Sequence, residues 1–372
     1  MSIKHDVLLS GYYGFGNAGD EAILEAAVFA LKNHGLQVAV LTHTPEKTKL
    51  DFQVETYHRK NFSQVLRAIQ RSKLILSGGG GLFQDTTSFK SLLYYLRIPF
   101  VAKLLGKKTM IFAQGIGPIS STLGRYFTRM VSNHFIDKIT VRDEPSKLLL
   151  KSLGVRKSIE VTADLAFLFP LPQEEARNEA RLRWSLPEGS KALFGLVIRH
   201  WPGIEASIPS LTKSISAFAT NQQALPVLFP FQASRDKELT QLLSHSLAVP
   251  HVTILDALTP SELLSVISNL ELLVAMRYHA ILFAARSHVP SIAISYDDKV
   301  RNLAESLACP TLTLDELSSH NLADTLSQIW QNRNQYRKHL EISVEPIAKK
   351  AMGNIDLVLE LLGNKGRSLH SA

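Results

Sequence analysis

Short apolar runs and helical patterns alternate along this chain, twice over, and most runs end in glycine or in a charged side chain. Residues 7–10, 38–41, 74–76, 109–113 and 136–141 are such runs, with a shorter one at 159–161. Between them, residues 17–31, 62–69, 88–105 and 122–133 read as helices; Ile23, Ala26, Ala27, Ala30 and Leu31 show the spacing of one helix face. Strands buried on both faces read as continuous apolar runs, and parallel neighbours need a helical crossover, so the pattern calls for βαβ units. Pro99 is expected to interrupt the helix at 88–105. A polar, proline-marked stretch at 169–189, with a charged helical piece inside it, reads as a connection. A second alternating set follows, with strands at 192–198, 226–229, 252–255, 270–275 and 291–294 and a helix at 211–218. The tail from 317 to 362 reads as helical. The fold class is therefore α/β, with two parallel-sheet domains facing a cleft and a C-terminal helical tail.

Length agrees, because 372 residues exceed what one ordinary core holds and suggest about two domains. One cysteine, Cys309, excludes an internal disulfide framework and fits a reducing compartment, hence a cytoplasmic expectation. The first residues lack the apolar stretch of a signal peptide, and no uncharged apolar run of about 18 residues suggests a membrane span. The net charge of +8 suits an anionic ligand or surface. Scattered basic residues without zinc-type Cys/His spacing argue against nucleic acid, so peripheral contact with acidic lipid at the inner face of a membrane is the more useful expectation.

Chemistry-bearing residues fall at strand ends, where open α/β sheets bind ligands. Arg277, Tyr278 and His279 stand where the run at 270–275 hands over to a helix. Arg277 offers a planar fork suited to carboxylate or phosphate, His279 a proton donor or acceptor, and the helix start favours anions. Gly14, Gly16 and Gly19 fit a G-x-G-x-x-G pattern. Asp20 and Glu21 would repel a pyrophosphate there, and the second strand ends without a ribose-binding carboxylate, which argues against a dinucleotide. The glycines then serve a tight turn, with Asn17 and Asp20 either facing the cleft or, for Asp20, only favouring the helix start. Residues 78–81 are all glycine and lead to Asp85, and Gln114-Gly115-Ile116-Gly117-Pro118 ends a further strand; neither is a Walker loop. Gly16, Gly79, Gly80, Asp85 and Gln114 line the expected rim. Arg142 either faces a ligand or pairs with Asp143 and Glu144, and Asp164, which opens no helix, is placed in the cleft. In the second set Arg199-His200 ends a strand, and Lys299 follows Asp297-Asp298 at another. His43, His58, His134 and His288 lack metal-ligand spacing, so no metal is expected; no cofactor is expected either.

Taken in order, Gly11 to Glu21, Ser77 to Gly81, Gln114 to Pro118, Val141-Arg142-Asp143 and Met276 to Ala280 resemble the polysaccharide pyruvyl transferases, and most closely their S-layer-anchoring (CsaB-like) type. The resemblance covers about residues 5 to 310. It implies a glycosyltransferase-B-like pair of Rossmann-like domains, here at 1–170 and 190–315, joined by 171–189, with 316–372 packing back on the body. It implies transfer of the enolpyruvyl group of phosphoenolpyruvate onto two hydroxyls of a cell-wall or exopolysaccharide sugar, with release of phosphate. For that type the acceptor contains N-acetylmannosamine and is lipid-linked. By the same resemblance Arg277, Tyr278, His279 and Arg142 bind phosphoenolpyruvate. On chemical grounds His279 is expected to supply a proton and Asp20 to accept one from the acceptor. A sugar-nucleotide-dependent glycosyltransferase of the same architecture is the competing enzyme reading, and a non-enzymatic binding module is a third.

Overall fold

The computed structural model describes residues 2–86, 88–187, 191–318 and 321–363. Residues 188 and 189 of the expected connection, and 319–320 and 364–372 of the expected tail, lie outside them. The chain divides into two compact units, one of residues 1–169 with 347–372 and one of residues 170–346.

The first unit is built on a parallel sheet of β1 (His5–Ser10), β2 (Val38–Thr42), β3 (Glu55–His58), β4 (Ser72–Gly78), β5 (Lys108–Gln114), β6 (Lys138–Val141) and β7 (Ile159–Val161). Their order across the sheet is β3-β2-β1-β4-β5-β6-β7. Val7, Leu8 and Leu9 on β1 and Leu74, Ile75 and Leu76 on β4 are buried on both faces, as a sheet covered by helices requires. Each such aliphatic side chain contributes roughly 1.5–3 kcal/mol by leaving water. The helix Ala18–Asn33 opens at Asn17, whose side chain accepts from the Gly19 amide, and buries Ile23, Ala26, Ala27 and Leu31.

The second unit repeats the plan with β8 (Leu193–Val197), β9 (Leu225–Leu228), β10 (Val252–Thr253), β11 (Leu272–Ala275), β12 (Ser291–Ser295) and β13 (Thr311–Thr313), ordered β10-β9-β8-β11-β12-β13. Its core stacks Phe194, Leu196, Val274, Ile292 and Ile294 of the sheet against Leu211, Ile215, Leu326 and Ile329 of helices. In both units the strand order reverses beside one central strand. β1 pairs with β2 and β4, and β8 pairs with β9 and β11. Those two places are the topological switch points, where the crossovers diverge and leave a crevice at the carboxyl ends.

Two expectations are corrected. Pro99 does not break its helix, which runs unbroken over Phe89–Leu104. A proline removes one hydrogen bond, and buried Leu96, Ile98 and Ala102 on both sides hold the helix through it. Asp164 does open a helical turn: it caps the 3-10 segment Leu165–Leu168 by accepting from the Ala166 amide at 3.0 Å. The helical tail comprises Asn321–Gln331 and Arg333–Leu362, and Pro346 lies inside the second. No helix among the described residues is long and apolar enough to cross a membrane.

Candidate active site

Each sheet presents polar side chains at its carboxyl edge. In the second unit β11 ends at Ala275, and Met276 extends the ladder by donating to the Val197 carbonyl. Arg277 follows as the N-cap of the helix Tyr278–Arg286. Its side chain does not cap the helix but turns to Asp236, in the first turn of the helix Ala233–Ser246 that follows β9. Arg277 Nε donates to Asp236 Oδ2 at 2.9 Å and Nη2 donates to Oδ1 at 2.5 Å, a two-pronged pair. Asp236 is fully buried and also accepts from the Gln232 amide at 3.0 Å, so its charge is balanced and its position fixed. Tyr278 and His279 occupy the next two positions, their rings edge to face with centroids 5.0 Å apart.

Two further strand ends meet this edge. Arg199, beyond β8, donates through Nη1 to the Tyr296 hydroxyl at 2.7 Å, and Tyr296 follows β12. The Arg199 guanidinium lies 4.7 Å from the centre of the Tyr296 ring and 5.3 Å from that of Trp201. Its Nε is buried without an acceptor, and among the described residues no carboxylate pairs with it. Burial raises the pKa of the Tyr296 phenol and the nearby Asp297 carboxylate adds to this, against the opposing charges of Arg199 and Arg277. The phenol therefore stays protonated at neutral pH. Asp297 caps the helix Asp298–Ser306 through the Val300 amide, and Lys299 is half-buried in that helix's first turn.

The first unit's edge is organised by close backbone approach. Gly78 ends β4 with its Cα against β5, and a Cβ there would stand 1.9 Å from the Phe112 carbonyl oxygen. Gly80, at φ +75°, brings its backbone against Asp20, whose Oδ1 would lie 2.5 Å from an added Cβ. Asp20 is buried and accepts from Asn17 Nδ2 at 2.5 Å. Asn17, Asp20 and Gly80 thus come together at the first switch point, while Gly16 faces open space. Gly79 packs over Ile23 and the Tyr13 hydroxyl, which donates to the Gly78 carbonyl at 2.8 Å. Glu21 accepts from the Gly14 amide at 2.8 Å; burial raises its pKa against the pull of the Gly14, Gly16 and Phe15 amides.

Other expected rim residues are committed to their own surroundings. Gln114 is fully buried; with its amide oriented to satisfy its neighbours, it donates to the Ser77 carbonyl at 3.1 Å and accepts from the Leu82 and Phe83 amides at 3.2 and 3.0 Å. Asp85 accepts from the Ser120 and Ser121 amides and the Ser121 hydroxyl. Burial would raise its pKa, but those bonds hold it low. Arg142 is buried, donates to Asp164 Oδ2 at 3.0 Å and Asp143 Oδ2 at 3.3 Å, and fills the space a side chain at Gly115 would need. Glu144, its other sequence neighbour, instead pairs with Lys147.

Asp236, Tyr296 and Trp201 are the residues that sequence reasoning missed. Position beyond a strand marks Tyr296 as it marks Arg277, but Asp236 meets Arg277 only through a fold contact 41 positions away in sequence. Among the described residues no group of three or more His, Cys, Asp or Glu side chains is placed to hold a metal ion.

Comparison with solved structures places this fold among enzymes of sugar nucleotides. Anabaena HepE in complex with UDP-glucose is similar over 97% of this chain and 100% of its own, at 12% identity and a TM-score of 0.64. UDP-GlcNAc 2-epimerase from Neisseria meningitidis, bound to UDP-GlcNAc, is similar over 95% of this chain and 100% of its own, at 13% identity and 0.66. S. aureus MnaA with UDP is similar over 96% and 97%, at 10% identity and 0.68. At such identities the likeness is one of fold, here the glycosyltransferase-B-like plan. No curated protein matches the chain at a significant level. The family model that matches describes polysaccharide pyruvyl transferase and spans residues 17–298, from Asn17 at the first switch point past Arg277 and Tyr296 at the second. Asn17, Asp20, Gly80, Arg199, Asp236, Arg277 and Tyr296 all fall within that span, and the chain belongs to the polysaccharide pyruvyl transferase family.

Proposed function

We propose that the protein transfers the enolpyruvyl group of phosphoenolpyruvate onto two hydroxyls of a saccharide, forming a cyclic pyruvate ketal. The observation that carries the donor assignment is the held guanidinium of Arg277 at the second unit's switch point, with His279 two residues on and the positive end of a helix beside them. Phosphoenolpyruvate carries a phosphate and a carboxylate, and an arginine fixed by a buried acid presents its remaining donors in one orientation. Arg142, in the first unit, is held by Asp143 and Asp164 much as Arg277 is held by Asp236, and its part in binding the donor rests on the resemblance alone.

The reaction balances with groups of this chain. C3 of the donor gains a proton and becomes a methyl group, which makes C2 electrophilic. Two acceptor oxygens bond to C2, the C2–O bond to phosphate breaks, and phosphate leaves. The acceptor hydroxyls release two protons, one balancing that on C3 and one leaving with phosphate. His279 is assigned the proton delivered to the donor and Asp20, in the first unit, the proton taken from an acceptor hydroxyl. The acceptor is a cell-wall or exopolysaccharide sugar. An N-acetylmannosamine-containing, lipid-linked precursor met at the inner face of the membrane suits the S-layer-anchoring resemblance and the net charge of +8.

Calorimetric titration of phosphoenolpyruvate into the wild type and Arg277→Ala tests the donor. Binding in the wild type and its loss by at least about tenfold in the variant is expected, the scale of a charge-assisted contact. Tighter binding of UDP-sugars than of phosphoenolpyruvate would instead favour a glycosyltransferase, the reading that the ligands of HepE and the epimerase keep in view.

A further inference from the structure

The second unit's carboxyl edge holds a hydroxyl whose own proton is unspent. Tyr296 accepts from Arg199 Nη1 at 2.7 Å, and among the described residues nothing accepts from Tyr296 in return. Its ring is packed against Trp201, centroids 4.5 Å apart, and Arg199 lies against both, so the phenol is fixed in place. It follows β12, next to β11 and Arg277, and is near enough for the Arg277 charge to act on it. The charge balance here matters. Arg277 is offset by Asp236, so the pair brings no net charge to the edge, whereas Arg199 pairs with no carboxylate among the described residues. Asp297, the nearest acid to Tyr296 along the chain, is occupied in capping its helix. An oxygen of an anion placed between Arg199 and Arg277 would complete both the Arg199 charge and the Tyr296 hydrogen bond.

We propose that Tyr296, held by Arg199, is a substrate-binding hydroxyl that donates to an oxygen of the same anion that Arg277 grips. The identity of that anion as phosphoenolpyruvate rests on the function proposed above; the oxyanion site itself does not. Arg199 supplies the net positive charge, Arg277 the fixed fork, and Tyr296 a neutral donor that selects an acceptor oxygen at its tip.

The test is calorimetry of wild type, Tyr296→Phe and Arg199→Lys with phosphoenolpyruvate and, separately, with inorganic phosphate, beside a thermal melt of each protein. Tyr296→Phe keeps the ring against Arg199 and Trp201 and removes only the hydroxyl. The expected result is an unchanged melting temperature with affinity about tenfold weaker in Tyr296→Phe, the scale of one hydrogen bond to a charged group, and at least as weak in Arg199→Lys. Affinity in Tyr296→Phe within twofold of wild type would overturn the proposal. So would a loss of affinity accompanied by a clear drop in melting temperature, since the hydroxyl would then only hold the fold. If the wild type binds neither probe, the oxyanion site and the donor reading both fail. If phosphate binds through Tyr296 but phosphoenolpyruvate binds no more tightly, the oxyanion site stands and the donor reading fails.

Discussion

Arg277 spends Nε and Nη2 on Asp236, and no described residue accepts from its Nη1. A guanidinium held at two points cannot swing, which lowers the ordering cost of binding at the third. The hold is strong because Asp236 is fully buried, and a buried acid without its cation is penalised heavily. Asp236→Ala should therefore have two effects. Denaturant unfolding should show a loss on the order of 3–5 kcal/mol, the scale for breaking a buried ion pair. Calorimetry should show phosphoenolpyruvate bound at least about tenfold more weakly, because Arg277 loses its fixed orientation. Unchanged binding in a folded variant would mean that Arg277 does not depend on Asp236 to meet its ligand. Neither Asp236 nor this dependence was legible in the sequence. An aspartate among Arg235, Lys237 and Glu238 looks like part of a solvated helix face, and only the folded contact with Arg277 shows otherwise.

At the scale of elements, the glycine stretch 78–81 is a device of packing before it is one of binding. Gly78 allows β4 to lie against the Phe112 carbonyl, and Gly80 allows a loop to meet Asp20. Gly78→Ala places a methyl 1.9 Å from a backbone oxygen that the β4–β5 ladder holds in place, so it should cost more than about 3 kcal/mol or prevent folding of the first unit. Gly16→Ala meets open space and pays only for a positive φ, about 1–2 kcal/mol. Urea denaturation of the two variants checks the contrast; equal stabilities would contradict it. The central strands were legible because a parallel strand covered on both faces must be apolar throughout. The edge strands β3 and β13, half-buried and short, carry no such run and were missed. The helices Pro45–Phe52, Glu144–Ser152, Ala233–Ser246 and Pro260–Ile267 were missed too, as the first three mix charge into short or weakly apolar patterns. With Ala233–Ser246 went any means of placing Asp236. The places of Arg277 and His279 were legible because a strand end and a helix start both leave marks in sequence; whether a strand-end arginine is already paired, as Arg142 and Arg277 both are, depends on partners that only the fold supplies.

For the whole molecule, family and fold constrain different things. The fold is shared at 10–13% identity with proteins whose solved complexes hold UDP or UDP-sugars, so it fixes the arrangement of the strands and not the chemistry. The family match narrows the chemistry to pyruvyl transfer, and phosphoenolpyruvate as its donor is the proposal to be tested. The most direct test of that claim supplies phosphoenolpyruvate carrying carbon-13 at C2, together with cell-wall polysaccharide stripped of its ketals by mild acid. Carbon NMR then follows the label while released phosphate is counted. The label is expected to appear as a saccharide-bound ketal carbon, one for each phosphate released, and His279→Ala is expected to lower the rate by at least about a hundredfold, the scale of a lost general acid. Phosphate released without labelled saccharide, or full turnover by His279→Ala, would contradict the proposal.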